Sequence, residues 1–280
     1  MLLPTTPFRS RSARRGSTNR AVLVLIASAA VLILLSLLLS RGPKLSNELT
    51  VYCAAGLREP MEAIRKAYAQ ERGVSLSIQY GGSSTLLASL QTSAGADLFL
   101  PADESYMEPA IAKGLVAQTF AIAQMRPILA VKKSNPLHIT SLDDLLASNL
   151  RISMTDPAAA ATGKLVESAF QRAGKWDTFK ARVTVFKASV SEVAADLQVG
   201  AADAGIIWDA MLHQLPEFKE APLSELSGVT ARVVAGVAAK KKKHAPSALD
   251  LAEFLAAPDK GQRFFQESGF AAPTATEAAR

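Results

Sequence analysis

Small and hydroxyl-bearing residues follow five strand-like apolar runs of this chain, and each such position could supply hydrogen-bond donors to an anion. The donors would be serine and threonine hydroxyls and the unpaired backbone N–H groups of a helix start, which also carries a partial positive charge. Several such helix starts predict a pocket for a small oxyanion that needs neither lysine nor arginine. The five stretches are Val51–Leu57, Ile78–Leu86, Ile152–Gly163, Val183–Val193 and Ala204–Ala210, the last with an aromatic residue in place of a helix start.

The elements that must position these residues alternate between strand and helix. Apolar runs predict strands at 49–54, 74–80, 96–100, 127–132, 151–155, 183–186, 204–208 and 230–239. Helix-like runs predict helices at 57–72, 83–92, 105–113, 141–147, 163–173, 190–199, 248–256 and 261–268. The alternation predicts βαβ units and mostly parallel sheets, in which ligands bind beyond the carboxyl ends of strands, where all five stretches lie.

Two such series predict two lobes with a cleft between them. We expect the first part of lobe 1 at residues 46–126, lobe 2 at 127–230, and a return to lobe 1 with C-terminal helices at 231–270. The small, polar tail at 271–280 is expected to be disordered. The predicted fold class is α/β, with each lobe a mostly parallel sheet flanked by helices and the ligand in the interlobe cleft.

Residues 1–45 form a basic segment followed by an apolar one. Ala21–Ser40 is an almost uninterrupted apolar run of about 20 residues, the length that spans a bilayer core. Arginines crowd its N-terminal side, which predicts that this side stays cytoplasmic. The run is long for a signal peptide and ends without a clear cleavage site. We expect an uncleaved inner-membrane anchor, with a cleaved signal peptide as the alternative. Either places the rest of the chain in the periplasm.

Composition and charge narrow the classes of function. The formal charge is +6, but the residues before Glu48 carry +7, so the remainder nets −1 and no nucleic-acid groove is expected. Lys240–Lys243 is a local exception, interpreted as a solvated turn. Cys53, the single cysteine, lies in an apolar strand, which favours a core residue over a nucleophile. The three histidines lack metal-ligand spacing, so neither a cation site nor a cofactor is expected.

Five motifs resemble, in the same order, motifs of the periplasmic molybdate-binding proteins. Thr50–Leu57 (TVYCAAGL) resembles the family's TVFAAASL turn, and Ala96–Asp103 (ADLFLPAD) resembles its ADLFISAD strand. The other three are Tyr80–Leu86 (YGGSSTL), Asp156–Gly163 (DPAAAATG) and Ala202–Trp208 (ADAGIIW), which are similar to F-x-x-S-S-T-L, DP-x4-AG and ADAGIVY. The resemblance runs from about residue 49 to the closing Gly269-Phe270.

The resemblance implies a type II solute-binding protein of an ABC importer, whose two lobes close on molybdate or tungstate. It implies an ABC permease and its ATPase as partners, a monomer, and no catalytic residue. It places ligand contacts at Gly56, Ser83, Thr162, Val190 and Trp208. Ala55 and Ser84 join them as backbone or hydroxyl donors at the same two helix starts.

Three of these positions depart from the family pattern. Gly56 stands where serine is frequent, so a hydroxyl donor is lost while the backbone N–H remains. Thr162 stands where alanine is common and would restore a hydroxyl. Trp208 replaces a tyrosine, so an indole N–H would stand in for a phenol O–H. The selectivity of the pocket is therefore open.

Neutral donors favour an anion that is fully deprotonated, such as molybdate, tungstate or sulfate. Phosphate carries a proton near neutral pH and would need an acceptor, for which Asp156 is the candidate. Each proposed contact also has a structural interpretation: Ser83, Ser84 and Thr162 as helix caps, Gly56 as a tight turn, and Trp208 as core. Gly81-Gly82 resembles a phosphate-binding loop but is not followed by the G-K-[ST] ending of a nucleotide P-loop.

Two other classes of function compete with the receptor. A hydrolase using Ser83 or Ser84 would need a base, but the chain has no G-x-S-x-G elbow and no suitably placed histidine. A membrane-anchored anion sensor without transport would fit the long apolar segment and the altered positions. Within the receptor class, the alternative ligand is sulfate or another oxyanion.

Overall fold

The computed structural model describes residues 48–93, 95–134, 138–239 and 245–274. Its strands are β1 (Glu48–Ala54), β2 (Ser75–Gly81), β3 (Leu98–Leu100), β4 (Val116–Met125), β5 (Pro127–Lys132), β6 (Ile152–Thr155), β7 (Val183–Lys187), β8 (Ala204–Trp208), β9 (Phe218–Ala221) and β10 (Ala231–Ala238). Its α-helices are α1 (Arg58–Arg72), α2 (Ser83–Thr92), α3 (Met107–Ala112), α4 (Leu142–Ala147), α5 (Ala161–Arg172), α6 (Trp176–Arg182), α7 (Val190–Gln198), α8 (Ala245–Ala256) and α9 (Gly261–Glu267).

The predicted anchor Ala21–Ser40, the basic residues before it and Lys240–Lys243 lie outside the described residues. Within the described ranges, no helix has the length and apolar character needed to cross a bilayer. The predicted tail is described only as far as residue 274. Its first residue, Ala271, pairs with Gln124 in an antiparallel bridge, so the ordered chain extends past the expected start of the tail.

Two five-stranded sheets, in the orders β2-β1-β3-β10-β4 and β7-β6-β8-β5-β9, form the centres of the two lobes. In each sheet, three adjacent strands are parallel and a fourth, β10 or β5, is antiparallel to its neighbours. Four strands of each sheet therefore run in one direction, as expected for mostly parallel sheets. The chain passes between the sheets twice, at Arg126 and at residues 222–230.

Helix α1 shows how the sequence builds the layers around the sheets. Its buried residues Met61, Ile64 and Tyr68 recur at the three- and four-residue spacing of one helix face. The helix ends at Gly73, whose φ of 66° is the left-handed conformation that glycine adopts at low cost. Burying this face against the first sheet fixes the start of α1 beside the carboxyl end of β1.

Among the strands and α-helices of the described residues, three were not predicted: β4, β9 and α6. Strand β4 is the longest strand described, and its pairing with β10 completes the first sheet. Helix α6 has seven residues and leads directly into β7, without a glycine or proline between them. The two lobes therefore contain two strands and one helix more than the sequence predicts.

Arg151 and Asp203 join the starts of β6 and β8, at the edge of the second sheet opposite its carboxyl ends. The guanidinium donates from Nη2 to Asp203 Oδ1 at 2.8 Å and from Nε to Oδ2 at 2.9 Å, and the Arg151 backbone N–H also donates to Oδ2. These bonds to Arg151 lower the pKa of Asp203 from 3.8 to about 2. Because the folded-state pKa is depressed, the pair stabilises the fold above pH 3.8, and that contribution is lost as the pH falls toward about 2.

We expect Asp203→Asn to remove this part of the acid sensitivity. The free energy of unfolding of the variant should fall less steeply than that of the wild type as the pH falls from 3.8 toward about 2. Both side chains are partly exposed, so the difference should be modest. Urea unfolding across this pH range measures it. Equal slopes for the two proteins would contradict the assignment.

Candidate functional site

The carboxyl ends of β1, β2, β6 and β8 meet around one small cavity between the lobes. Six of the seven predicted site residues line it, namely Ala55, Gly56, Ser83, Thr162, Val190 and Trp208. The rest of the lining is Ala54, Gly81, Gly82, Ala102, Ala160 and Ala161. No charged side chain is among these lining residues, so any ligand here would meet neutral groups alone. The structure thus brings the predicted positions together, while their role in binding stays a prediction.

Four helix starts converge on the cavity. They are the 3-10 turn Ala55–Leu57 leading into α1, and the helices α2, α5 and α7, which begin at Ser83, Ala161 and Val190. None of the four is closed by a hydrogen bond from the side chain of its cap residue. The first N–H groups of a helix have no acceptor within it. The cavity wall therefore presents backbone donors and the positive ends of helix dipoles.

The hydroxyl of Ser83 is fixed by a hydrogen bond from the backbone. The side chain is buried, and its Oγ accepts a hydrogen bond from the backbone N–H of Ala102 at 3.1 Å. Since that bond occupies one lone pair of the oxygen, the hydroxyl proton stays available for donation. Ala102 follows β3 and also lines the cavity. Sequence reasoning missed its contribution, although it lies within the motif Ala96–Asp103.

Gly56 and Trp208 are in direct contact across the cleft. A Cβ atom placed on Gly56 would lie 2.6 Å from Trp208 Cδ1 and 2.8 Å from Nε1. Trp208 is 1% exposed, so its indole is enclosed at the end of β8. Thr162, also 1% exposed, lines the cavity at the start of α5. The cavity is small, with about 10 Å³ of open volume, roughly one water-sized sphere.

Ser84 and Asp156 lie outside the cavity lining. The backbone N–H of Ser84 donates to Ala159 O at 3.1 Å, and its hydroxyl donates to Tyr106 Oη at 3.4 Å. Ser84 therefore bonds across the cleft instead of facing the cavity. Asp156 is exposed, and its Oδ1 accepts the N–H of Ala158 in a local turn. The acceptor that a protonated phosphate would need is thus not supplied by Asp156.

Direct contacts hold the two lobes together in this conformation. Besides the bond from Ser84 to Ala159, the Ser191 hydroxyl donates to Ala55 O at 3.1 Å. The Lys164 ammonium lies 4.9 Å from the centre of the Tyr106 ring. Gly82 fits against two carbonyl groups of lobe 2, because a Cβ there would lie 2.6 Å from Ala188 O and still closer to Ala159 O. The structure is therefore a closed form.

Cys53 and His213 supply no chemistry to the site. Cys53 is completely buried in β1, and burial raises the pKa of its thiol, so the group stays protonated at neutral pH. His213 contacts Ala210 O and the Glu59 carboxylate, away from the cavity lining. In the parts of the chain that the structure covers, no cluster of histidine, cysteine, aspartate or glutamate is placed to hold a metal ion.

Comparison with known proteins agrees with this architecture. The family described as "Bacterial extracellular solute-binding protein" matches residues 49–271. The molybdate-binding protein ModA of Mycobacterium tuberculosis is 26% identical over 234 residues, which cover 81% of this chain and 86% of that protein. The family match spans the two sheets and the cavity between them.

Solved structures show the same fold at lower identity. The periplasmic molybdate-binding protein of Azotobacter vinelandii aligns with a TM-score of 0.69 at 22% identity, covering 81% of this chain and all of that one. The sulfate-binding protein SubI of Mycobacterium tuberculosis aligns with a TM-score of 0.70 at 19% identity, covering 83% and 89%. The predicted two-lobed, type II α/β fold is confirmed. These neighbours bind different oxyanions, so fold alone leaves the ligand open.

Proposed function

Because this chain belongs to the bacterial extracellular solute-binding proteins, we propose that it captures a fully deprotonated tetrahedral oxyanion, molybdate or tungstate, for an ABC importer. The observation that carries the proposal is the cavity at the carboxyl ends of the strands, lined by uncapped helix starts and by no charged side chain. A dianion there would replace its water shell with N–H and O–H donors. Such charge-assisted hydrogen bonds contribute roughly 1.5–3 kcal/mol each.

The same lining favours molybdate, tungstate and sulfate over hydrogen phosphate. The ligand oxygens would face the backbone N–H groups of residues 56 and 190, the hydroxyls of Ser83 and Thr162, and the indole N–H of Trp208. All these groups donate, and no carboxylate is among the lining residues to accept the phosphate proton. Sulfate is the second candidate, supported by the shared fold of the sulfate-binding neighbour. It is smaller than molybdate, so the fit of the cavity would separate the two.

A thermal-shift titration tests the proposal. We expect molybdate and tungstate to raise the melting temperature of the purified protein, because a ligand that binds only the folded state adds about 2.7 kcal/mol at one hundred times its dissociation constant. Sulfate should give a smaller shift and phosphate none. If all four anions leave the melting temperature unchanged, the oxyanion proposal is wrong and the family gives the fold alone.

The hydrolase alternative finds no support in the geometry around Ser83. Its hydroxyl oxygen accepts from Ala102 N–H, and within the described chain it contacts no histidine or carboxylate that could act as a base.

The location of the protein in the cell is a separate proposal. We propose that Ala21–Ser40 holds the protein at the outer face of the inner membrane, beside an ABC permease and its ATPase. The sensor alternative differs in lacking these partners, and crosslinking to a permease would decide between them.

A further inference from the structure

We propose that Arg126 positions the hinge on which the two lobes close. Arg126 alone lies between β4 of the first sheet and β5 of the second, and its bonds to Asp209 and Glu220 fasten this first crossing to lobe 2. Bending is thereby confined to the lobe 1 end of the crossing. The consequence for ligand capture rests on the function proposed above, whereas the position of the hinge is independent of any ligand.

The backbone and the side chain of Arg126 are both bonded to lobe 2. The Arg126 N–H donates to Asp209 Oδ1 at 3.0 Å, and its carbonyl accepts from the Asp209 N–H at 3.0 Å. The guanidinium donates from Nη1 and Nη2 to the two carboxylate oxygens of Glu220 at 2.6 and 2.7 Å, and Nε lies 3.3 Å from Asp209 Oδ2. Such bidentate pairing fixes the direction of the side chain. Because Pro127 follows, the backbone of Arg126 is also restricted to extended conformations.

The second crossing, residues 222–230, is held by the same lobe. Leu223 and Leu226 are buried in the core of lobe 2, and Glu220 lies on β9, two residues before the crossing begins. The ion pair of Arg126 with Glu220 therefore joins the lobe 2 ends of both crossings. Beside the pair, a cavity of about 540 Å³ is lined by residues of both crossings, so packing between them is incomplete and the ion pair supplies a direct connection.

Lobe 1 holds the chain immediately beyond these anchored segments. Met125, the last residue of β4, pairs with Ala231, the first residue of β10, and Gln124 pairs with Ala271. At the first crossing, the bonds of lobe 1 therefore end at Met125 and those of lobe 2 begin at Arg126. Bending is left to the torsion angles between these two residues, which places the hinge axis beside the pair of Met125 and Ala231.

The anchored crossing is continuous with the cavity wall. Trp208, which lines the cavity, pairs with Pro127 and is followed directly by Asp209. Without the side chain of Arg126, the open form would sample more arrangements of this wall, and ordering them on closure would cost conformational entropy. The interlobe contacts of the closed form would remain. We therefore expect the loss of affinity to appear in the association rate and not in the dissociation rate.

Arg126→Ala tests the proposal, and Arg151→Ala is its matched control. Both arginines pair bidentately with one carboxylate and have side chains 48% and 49% exposed, but Arg151 joins the starts of β6 and β8, away from both crossings. In calorimetry with molybdate, we expect Arg126→Ala to weaken binding about fivefold and Arg151→Ala less than about twofold. Stopped-flow tryptophan fluorescence should place the loss in association. Equal affinities of the two variants, or a loss confined to dissociation, would overturn the proposal.

Amide hydrogen exchange of the ligand-free proteins tests the hinge without an anion. Exchange across residues 124–128 and 208–210 should be about tenfold faster in Arg126→Ala than in the wild type, and unchanged in Arg151→Ala. Glu220→Gln, which leaves the backbone bonds of Arg126 in place, should show a smaller increase and serves as the test if Arg126→Ala fails to fold. Unchanged exchange in the folded variant would overturn the inference, even where the wild type binds molybdate. Faster exchange in a protein that binds none of molybdate, tungstate, sulfate and phosphate would leave the hinge standing and overturn the proposed function.

Discussion

Replacing Gly82 with alanine should reduce molybdate affinity by roughly a hundredfold, because overpacking of a rigid contact costs about 1–3 kcal/mol or more. The added Cβ would lie 2.6 Å from Ala188 O and closer still to Ala159 O. Both are backbone atoms of lobe 2, which cannot swing aside as a side chain would. The same displacement would break the hydrogen bond from Ser84 N–H to Ala159 O. The variant should therefore fold normally and fail to close.

Gly81→Ala is the matched comparison. A Cβ at Gly81 would meet only the Leu86 side chain of its own lobe, at 3.4 Å, which is close to an ordinary contact. We expect Gly81→Ala to reduce molybdate affinity much less than Gly82→Ala does. Calorimetry gives the affinities, small-angle scattering with and without molybdate reports closure, and melting without ligand checks folding. Similar affinities for Gly82→Ala and the wild type would show that the lobes bind ligand without this contact.

Ser83→Ala should weaken molybdate binding by roughly ten- to a hundredfold, since one hydrogen bond to a charged ligand contributes about 1.5–3 kcal/mol. Unlike the change at Gly82, it leaves the interlobe contacts in place, so ligand should still induce closure at higher concentration. It also removes the acceptor of Ala102 N–H, which should lower stability by about 1 kcal/mol.

Ser84→Ala provides the control for this prediction. Ser84 is the next residue along α2, but it lies outside the cavity lining, and its hydroxyl bonds Tyr106 at 3.4 Å. We expect a small effect on affinity from the loss of this long bond. Calorimetric titrations of both variants measure the difference. If Ser84→Ala is the more damaging change, the hydroxyl that serves the ligand is not that of Ser83.

The sequence predicts β1, β6 and β8, three of the strands that carry the site, because they are largely buried and apolar. Buried strands such as Ala204–Trp208, with a pattern buried at every position, stand out as continuous apolar runs. Strand β4 did not stand out because its residues Gln118, Thr119 and Gln124 break the alternation of apolar and polar positions, and six of its ten residues are exposed or only partly buried. Its pairing with β10 comes from tertiary structure, which overrides weak local preference.

At the site, too, the features that the sequence did not predict depend on tertiary structure. The helix starts of Ser83 and Val190 could be found because small residues follow strands there. Two close contacts could not be found from the sequence. One is the approach of Gly82 to the carbonyls of Ala159 and Ala188, and the other is the contact of Gly56 with Trp208, which leaves no room for a side chain at position 56. Each depends on residues more than 70 positions apart. A single sequence shows that these glycines exist, and only the folded chain shows what occupies the space beside them.

The neutral lining of the cavity has a consequence for the compartment in which the protein would work. No side chain on that lining titrates in the pH range where most proteins remain folded. The lining residues would therefore neither take up nor release a proton when a dianion binds. Capture would then be indifferent to acidification of the surroundings. An anion that is itself free of protons would be held equally well in a mildly acidic and a mildly alkaline medium.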